Sequence, residues 1–316
     1  MVGPMSDERR LIAALKKIAT DPAARGLSDD TALLGDLVIT HDMIAQGVHF
    51  RADDPPASIG WKLAAVNLSD LAAKGATPKA ALMGASLSGD ADWDEAFVSG
   101  LAAACETYGM ALIGGDTIAL PDGAPLVFGL TAIGTAHPAG TPGRDGARVG
   151  DQLILIGTLG DAAAGLAVLT ADGKATGPLV EAYRRPVPLI AAGQALAGLA
   201  HATMDVSDGL LIDAARMAEA SGVQFRIDLD TLPLGTAYAA LAGTSREARI
   251  DAARGGDDYA LLAALPAAAI EALGNCLPPG SIMTRIGEVR AGEGLALIDA
   301  DGDVPMPERL GYEHRP

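Results

Sequence analysis

Apolar and polar positions along the chain switch repeatedly between helical and strand spacing. Ser6–Ala19 predicts an amphipathic helix, and "DLVITHD" (Asp36–Asp42) reads as a strand. "SIGWKLAAVNLSDLAAKG" (58–75) predicts a helix with Ser58 as N-cap and a glycine stop. Next come a strand "KAALMGASL", a helix over Asp92–Tyr108 closed by Gly109, a short buried strand "MALIGGD" and a longer strand "PLVFGLTAIGTA". The Gly, Pro and charge density of "HPAGTPGRDGARVGD" (137–151) marks a loop and the best domain boundary, dividing the chain into 1–138 and 139–316. Beyond it, "DQLILIGTLGDAAAGLAVL" reads as strand, Gly-rich turn and helix, and "PVPLIAAGQALAGLA" as helix. Leu210, Leu211, Ala214, Ala215 and Met217 mark the apolar face of a helix that Gly222 ends. "VQFRIDLD" is then a strand, "REARIDAA" a helix and "DYALLAAL" a strand, before a strand-rich close. The alternation predicts an α/β or α+β protein of two domains.

Composition narrows this. The 316 residues are 49% hydrophobic but only 3% aromatic, so aliphatic side chains must build the core. The net charge of −17 argues against nucleic-acid binding through phosphates and disfavours anionic membranes. A phosphorylated ligand would need bridging cations. Cys105 and Cys276 lie far apart without a CxxC partner, which predicts buried free thiols of a reducing compartment. The N-terminus lacks an apolar signal-peptide core, and no apolar run reaches membrane-spanning length. A cytoplasmic location is expected.

Acidic turns supply the candidate chemistry. They are "LSDDTALLG" (Asp29, Asp30), "ITHDM" (Asp42), "NLSDLAAKGA" (Asp70), "LIGGDT" (Asp116), "DVSDG" (Asp205, Asp208) and "GGDDYALL" (Asp257, Asp258). Each sits beside Gly, Ser or Thr at the edge of an apolar segment. Taken singly, Asp208 reads equally as a helix N-cap, and Asp42 and Asp116 as turn starters. Asp70, on an otherwise apolar helix, needs a partner or a metal. Lys and Arg are sparse in the neighbouring sequence, so converging carboxylates would repel one another. Mg²⁺, a hard cation that prefers oxygen, resolves this and would let an acidic protein hold ATP. The chain has no GxxxxGK[ST], no GxGxxG after a strand, no GxSxG, no HExxH and no protein-kinase signature. The turn in "LIGTLGDAAAGLAVL" can receive phosphate on helix N–H groups, or its glycines serve only turn geometry and close packing.

In order, "SDDTALL", "ITHDMIAQGVHF", "KLAAVNLSDLAAKGATP", "LIGGDT", "GDQLILIGTLGDAAAGL", "RRPVP", "DVSDGLLIDA", "IDLDTLPL", "GGDDYALL" and "GYEH" run from Ser28 to His314. This series resembles the thiamine-monophosphate kinase family of the aminoimidazole ribonucleotide synthetase superfamily. The resemblance implies a homodimer in which two N-terminal sheets close into a β-barrel, with the active site in the cleft beside a C-terminal α/β domain. It implies ATP- and Mg²⁺-dependent conversion of thiamine monophosphate to thiamine diphosphate by direct in-line transfer. Carried over, Asp30, Thr40, His41, Asp42, Asp70, Asp116, Asp205 and Asp208 fall on metal positions. Tyr108, Gly115, Asp116, Arg144 and Ser207 fall on nucleotide positions, and His49, Asp257 and Tyr312 on substrate positions. Asp205, Asp208 and Asp116 carry the catalytic role. No general base is assigned, because the acceptor phosphate is already ionised near neutral pH.

Four positions depart from the family pattern: Ser28 for Gly, His41 for Thr, Asp257 for Glu, and Ala260 for an acid. Neutral imidazole is a poor Mg²⁺ ligand, so His41 fits only if its backbone carbonyl serves. Other superfamily members compete as readings. Selenophosphate synthetase would want a reactive Cys near the N-terminus, and the hydrogenase-maturation dehydratase a C-terminal Cys. Aminoimidazole ribonucleotide synthetase lacks the "NLSDLAAKGA" and "GYEH" combination. From other classes come a nucleotide sensor without turnover and an acidic α/β dimer whose turns are only structural.

Overall fold

The computed structural model describes residues 7–313; Ser6 of the predicted first helix and His314 of the closing motif lie outside them. Twelve strands among the described residues form two mixed sheets. The first holds β1 (Ala32–Leu34), β2 (Leu37–Ala45), β3 (Thr77–Ser86), β4 (Ala111–Ile118) and β5 (Val127–Thr135), in the order β1-β2-β5-β3-β4. The second holds β6 (Gln152–Ile156), β7 (Ala202–Val206), β8 (Gln224–Asp228), β9 (Ala260–Leu265), β10 (Met283–Arg290), β11 (Gly294–Asp299) and β12 (Gly302–Val304), in the order β12-β11-β8-β10-β6-β9-β7. Around them lie α1 (Asp7–Leu15), α2 (Pro56–Ala73), α3 (Ala91–Tyr108), α4 (Asp161–Ala171), α5 (Pro178–Arg184), α6 (Ile190–Leu196), α7 (Leu210–Ser221), α8 (Thr236–Ala242), α9 (Arg246–Arg254) and α10 (Ile270–Cys276).

One helix organises the site. α2 packs on β2, β5 and α3 on one side and on α6 and β7 on the other, so it lies in the seam between the sheets. This explains why its sequence is apolar nearly all round: it is buried on almost every face. The approach to α3 is close enough that a β-carbon on Gly60 would lie 2.0 Å from the Phe97 carbonyl oxygen.

Several expectations need correcting. Ser58 is not the N-cap: α2 starts at Pro56, whose fixed φ suits the first turn, and Ser58 Oγ donates to the Pro55 carbonyl (2.7 Å). Asp208 is not the N-cap of α7; Gly209 holds that position, in a positive-φ conformation. The "MALIGGD" stretch is buried only at Met110, which precedes the strand; the rest of it is not. That rest forms part of β4, which pairs with β3 along one side only and is exposed at every residue. The helix expected over "PVPLIAAGQALAGLA" is confined to α6, because Pro186 and Pro188 precede it. Cys276 is exposed and Cys105 half-buried, so the expectation of two buried thiols fails, although both are free. Among the described residues, no helix is long and apolar enough to cross a membrane.

Candidate active site

The seam gathers carboxylates from four elements. Thr40, inward-facing on β2, donates its hydroxyl to Asp70 of α2, and the same oxygen lies 3.3 Å from the Asp30 carbonyl. One residue earlier on α2, Ser69 donates to Asp205 of β7 at 2.6 Å. Oxygens of Asp30, Asp70 and Asp205 thereby lie within 4.8 Å of one another. Burial, then the charges of Asp42, Asp205 and Asp30, pushes the Asp70 carboxyl well above its ordinary value. Burial and Asp30 push Asp205 up to about 8; burial, Asp30 and Asp208 push Asp42 up to about 6.

Few cations are close to these acids in sequence; the fold brings three to them. Lys74, the residue after α2, is wholly buried, and its ammonium lies 2.6 Å from both Asp29 and Asp30 while donating to the Thr203 carbonyl (2.8 Å). Arg144 turns inward onto Asp30 through Nε (2.9 Å) and Nη2. Burial raises the Asp30 carboxyl, but Lys74 and Arg144 outweigh it and hold that group well below its ordinary range. Arg216, one face along α7, pairs with Asp208 (2.6 Å) and Asp213 (2.9 Å). Charge neutralisation is therefore uneven: Asp30 and Asp208 have cations, while Asp42, Asp70 and Asp205 have one another. That is an all-oxygen set short of positive charge, and it fits a hard divalent cation.

The "DVSDG" turn is braced from three directions. Asp213 of α7 accepts the Ser207 and Asp208 amides (3.1 and 3.0 Å). The Ser207 carbonyl accepts the Asp257 amide (2.8 Å), and the Asp208 carbonyl accepts the Tyr312 amide (2.9 Å). A β-carbon on Gly311 would lie 2.5 Å from that same Asp208 carbonyl, so glycine lets the closing segment dock. Sequence-distant Asp208, Asp257 and Tyr312 are thus brought to one place. Asp257 and Tyr259 both have left-handed backbones (φ 70° and 50°), each a cost of about 1 kcal/mol or more held by these bonds.

Other predicted residues sit elsewhere. The His41 imidazole points to the opposite face of β2 from Thr40, is exposed, and meets Thr131 Oγ1 (2.9 Å); only its backbone remains available to the acidic side. His49 Nδ1 accepts the Ala45 amide (3.1 Å). Gly115 and Asp116 lie on the exposed edge β4, where Asp116 accepts the Thr117 amide (2.9 Å) and a β-carbon on Gly115 would strike the Met83 carbonyl. Tyr108, ending α3, sets its ring edge-on to Trp61 (centroids 6.1 Å). The helix N-terminus after "LIGTLG" is already occupied: Asp258 accepts the Gly160 amide (2.9 Å), which removes it as a free phosphate receptacle. Ser28 (φ −118°) needs no glycine, because the left-handed residues fall just before it at Arg25, Gly26 and Leu27. Lys62, Lys74, Asp213 and Arg216 were missed. The usable signal for the two lysines was a charged residue within, or directly at the end of, an otherwise apolar helix.

Comparison with known proteins identifies the family. Residues 28–136 match the N-terminal domain of AIR synthase related protein, and residues 148–300 its C-terminal domain. Thiamine-monophosphate kinase of Caulobacter vibrioides is 38% identical over 93% of this chain and 86% of its own. The Escherichia coli K12 enzyme of that name is 38% identical over 92% and 91%. The solved structure of AaThiL complexed with AMPPCP and TMP superposes with a TM-score of 0.83 over 99% of both chains, at 31% identity. With identity at this level over nearly the whole length, on the same two-sheet fold, the chain belongs to the thiamine-monophosphate kinase family of AIR synthase related proteins.

Proposed function

We propose that this chain transfers the γ-phosphoryl group of ATP to the phosphate of thiamine monophosphate, giving thiamine diphosphate and ADP. The observation that carries this is the end-to-end match to a structure holding AMPPCP, an ATP analogue, together with TMP. Asp30, Asp42, Asp70, Asp205 and Asp208 would hold Mg²⁺, with Thr40, the His41 backbone and Asp116 at the remaining metal positions. When bound, Mg²⁺ supplies the positive charge that lets an acidic cleft receive a triphosphate. Ser69 and Thr40 hold Asp205 and Asp70 in place. Arg144, fixed on Asp30 through Nε and Nη2, would add a cation beside the phosphates. Tyr108, Gly115, Asp116 and Ser207 complete the nucleotide positions, and His49, Asp257 and Tyr312 those of the substrate. The acceptor oxygen is already ionised, so the chain's part is position and charge.

We assign the work to units 1–138 and 139–316 of a homodimer. Support for the dimer comes from β4, an unpaired edge whose Leu112, Ile113 and Ile118 are all exposed. Light scattering should return twice the 31.9 kDa chain mass. Free thiols support a cytoplasmic location. The functional test is incubation with ATP, Mg²⁺ and thiamine monophosphate, following thiamine diphosphate by chromatography. Product from the wild type and at least a hundredfold less (about 10²) from Asp208→Asn is expected. ATP binding without any product would sink the kinase reading in favour of a sensor.

A further inference from the structure

Lys62 is a buried cation outside the acidic cluster, and nothing above assigns it a role in the reaction. Its side chain is 3% exposed. It stands on α2 eight residues before Asp70, about 12 Å along the helix axis. Its ammonium donates to Asp257 Oδ2 (2.7 Å) and to the His49 carbonyl (3.0 Å), and lies 4.1 Å from the centroid of the Tyr183 ring. Each of the three ammonium protons thus has a direction to go. Tyr183 is itself pinned, donating its hydroxyl to buried Asp54 (3.2 Å), which also accepts from Arg184 Nε (2.9 Å). One cation therefore meets both the Asp257 carboxylate and the His49 backbone, two residues that stand at proposed substrate positions but are far apart in sequence.

We infer that Lys62 is a positioning residue for thiamine monophosphate: it holds the Asp257 carboxylate and the His49 turn in the geometry that receives the substrate. This rests on the functional reading above. The substrate carries a cationic thiazolium and an aminopyrimidine, and a carboxylate is the side chain that receives either. Asp257 has one methylene less than Glu, so its reach is set by where its backbone and its partners put it. Those partners are fixed on both oxygens: Lys62 on Oδ2 and the Tyr259 hydroxyl on Oδ1 (3.0 Å). The carboxylate keeps 27% of its side-chain surface open beyond this clamp. The acidic cluster at the other end of the seam is untouched by Lys62, so its effect belongs to one substrate only.

The test is a double-mutant cycle of wild type, Lys62→Met, Asp257→Asn and the pair, reading kcat and both KM values. Lys62→Met is expected to raise KM for thiamine monophosphate about tenfold, to leave kcat and KM for ATP within about twofold, and to add nothing in the Asp257→Asn background. A parallel rise in both KM values, an unchanged KM for thiamine monophosphate, or a full additional loss on top of Asp257→Asn would each make Lys62 merely structural and overturn the inference. If Lys62→Met fails to fold, Tyr259→Phe removes the donor to the other oxygen. It should raise the same KM alone; no change would count against the clamp. A wild type without turnover overturns the kinase reading instead, and the cycle is then read as calorimetric affinity for thiamine monophosphate, where the same non-additive loss is expected.

Discussion

Lys74 shows what single side chains contribute here. It is fully buried between Asp29 and Asp30, so its removal leaves two carboxylates in a dry site with only Arg25 and Arg144 to answer them. Lys74→Met should cost about 3–5 kcal/mol, measured by urea denaturation. A loss under about 1 kcal/mol would mean that water reaches the site and that the ion pairs are ordinary surface ones. Asp70→Asn should behave in the opposite way. It replaces a buried acid whose ionisation three other acids oppose with a neutral amide, so the metal-free protein should hold or gain melting temperature, while the gain on adding Mg²⁺ shrinks. An undiminished response to Mg²⁺ would take Asp70 out of the ligand set. The sequence showed Asp70 as anomalous because its neighbours are apolar. Lys74 carried the same mark, and reading it in the same way would have paired the two ends of the cluster.

At the scale of elements, the apolar periodicity predicted most strands and helices, including α3 with its Gly109 stop and α7 with its Gly222 stop, both in left-handed caps. What it left hidden was context. A strand of Leu, Ile and Gly looks buried whether it is central or an edge, so β4 was misjudged. A Ser after two prolines looks like a cap until Pro56 takes the first turn. The α2–α3 crossing was equally hidden, since it rests on absent side chains: a β-carbon on Gly60 meets the Phe97 carbonyl, and one on Gly100 would lie 1.8 Å from the Ala57 carbonyl. Both obstacles are backbone and cannot rotate away. Gly60→Ala, although it improves helix propensity, should destabilise by about 2 kcal/mol or more, because the helices must separate. Gain in stability from the alanine would show that this crossing is looser than described. Because α2 carries Lys62, Ser69, Asp70 and leads into Lys74, the same shift should lower activity at temperatures where the variant is still folded.

For the whole molecule, the individual acids were legible as polar interruptions at the edges of apolar segments. Their convergence was not, because Asp30, Asp70 and Asp205 are joined only by the packing of both sheets on α2. Neither were the cations that answer some of them: Arg144 is more than a hundred residues from Asp30. The uneven neutralisation has a consequence for stability that spacing alone cannot supply. Asp42 at about 6 and Asp205 at about 8 hold their protons more tightly in the folded chain than in the unfolded one, where a carboxyl titrates near 4. Between roughly pH 4 and 8 the folded state binds more protons, so metal-free stability should fall as pH rises through that window. Asp30 acts in the reverse sense at lower pH: its depressed value stabilises above the unfolded range and is lost as acid protonates it. A divalent cation must displace the protons of the cluster, so the melting-temperature gain from saturating Mg²⁺ should grow from about pH 5.5 to about pH 8.5. Differential scanning fluorimetry at fixed protein concentration, with and without Mg²⁺, measures both trends. A Mg²⁺ effect of constant size across that range would mean that the buried carboxyls are not the ligands, and that the ion binds to exposed acids elsewhere on a chain of net charge −17.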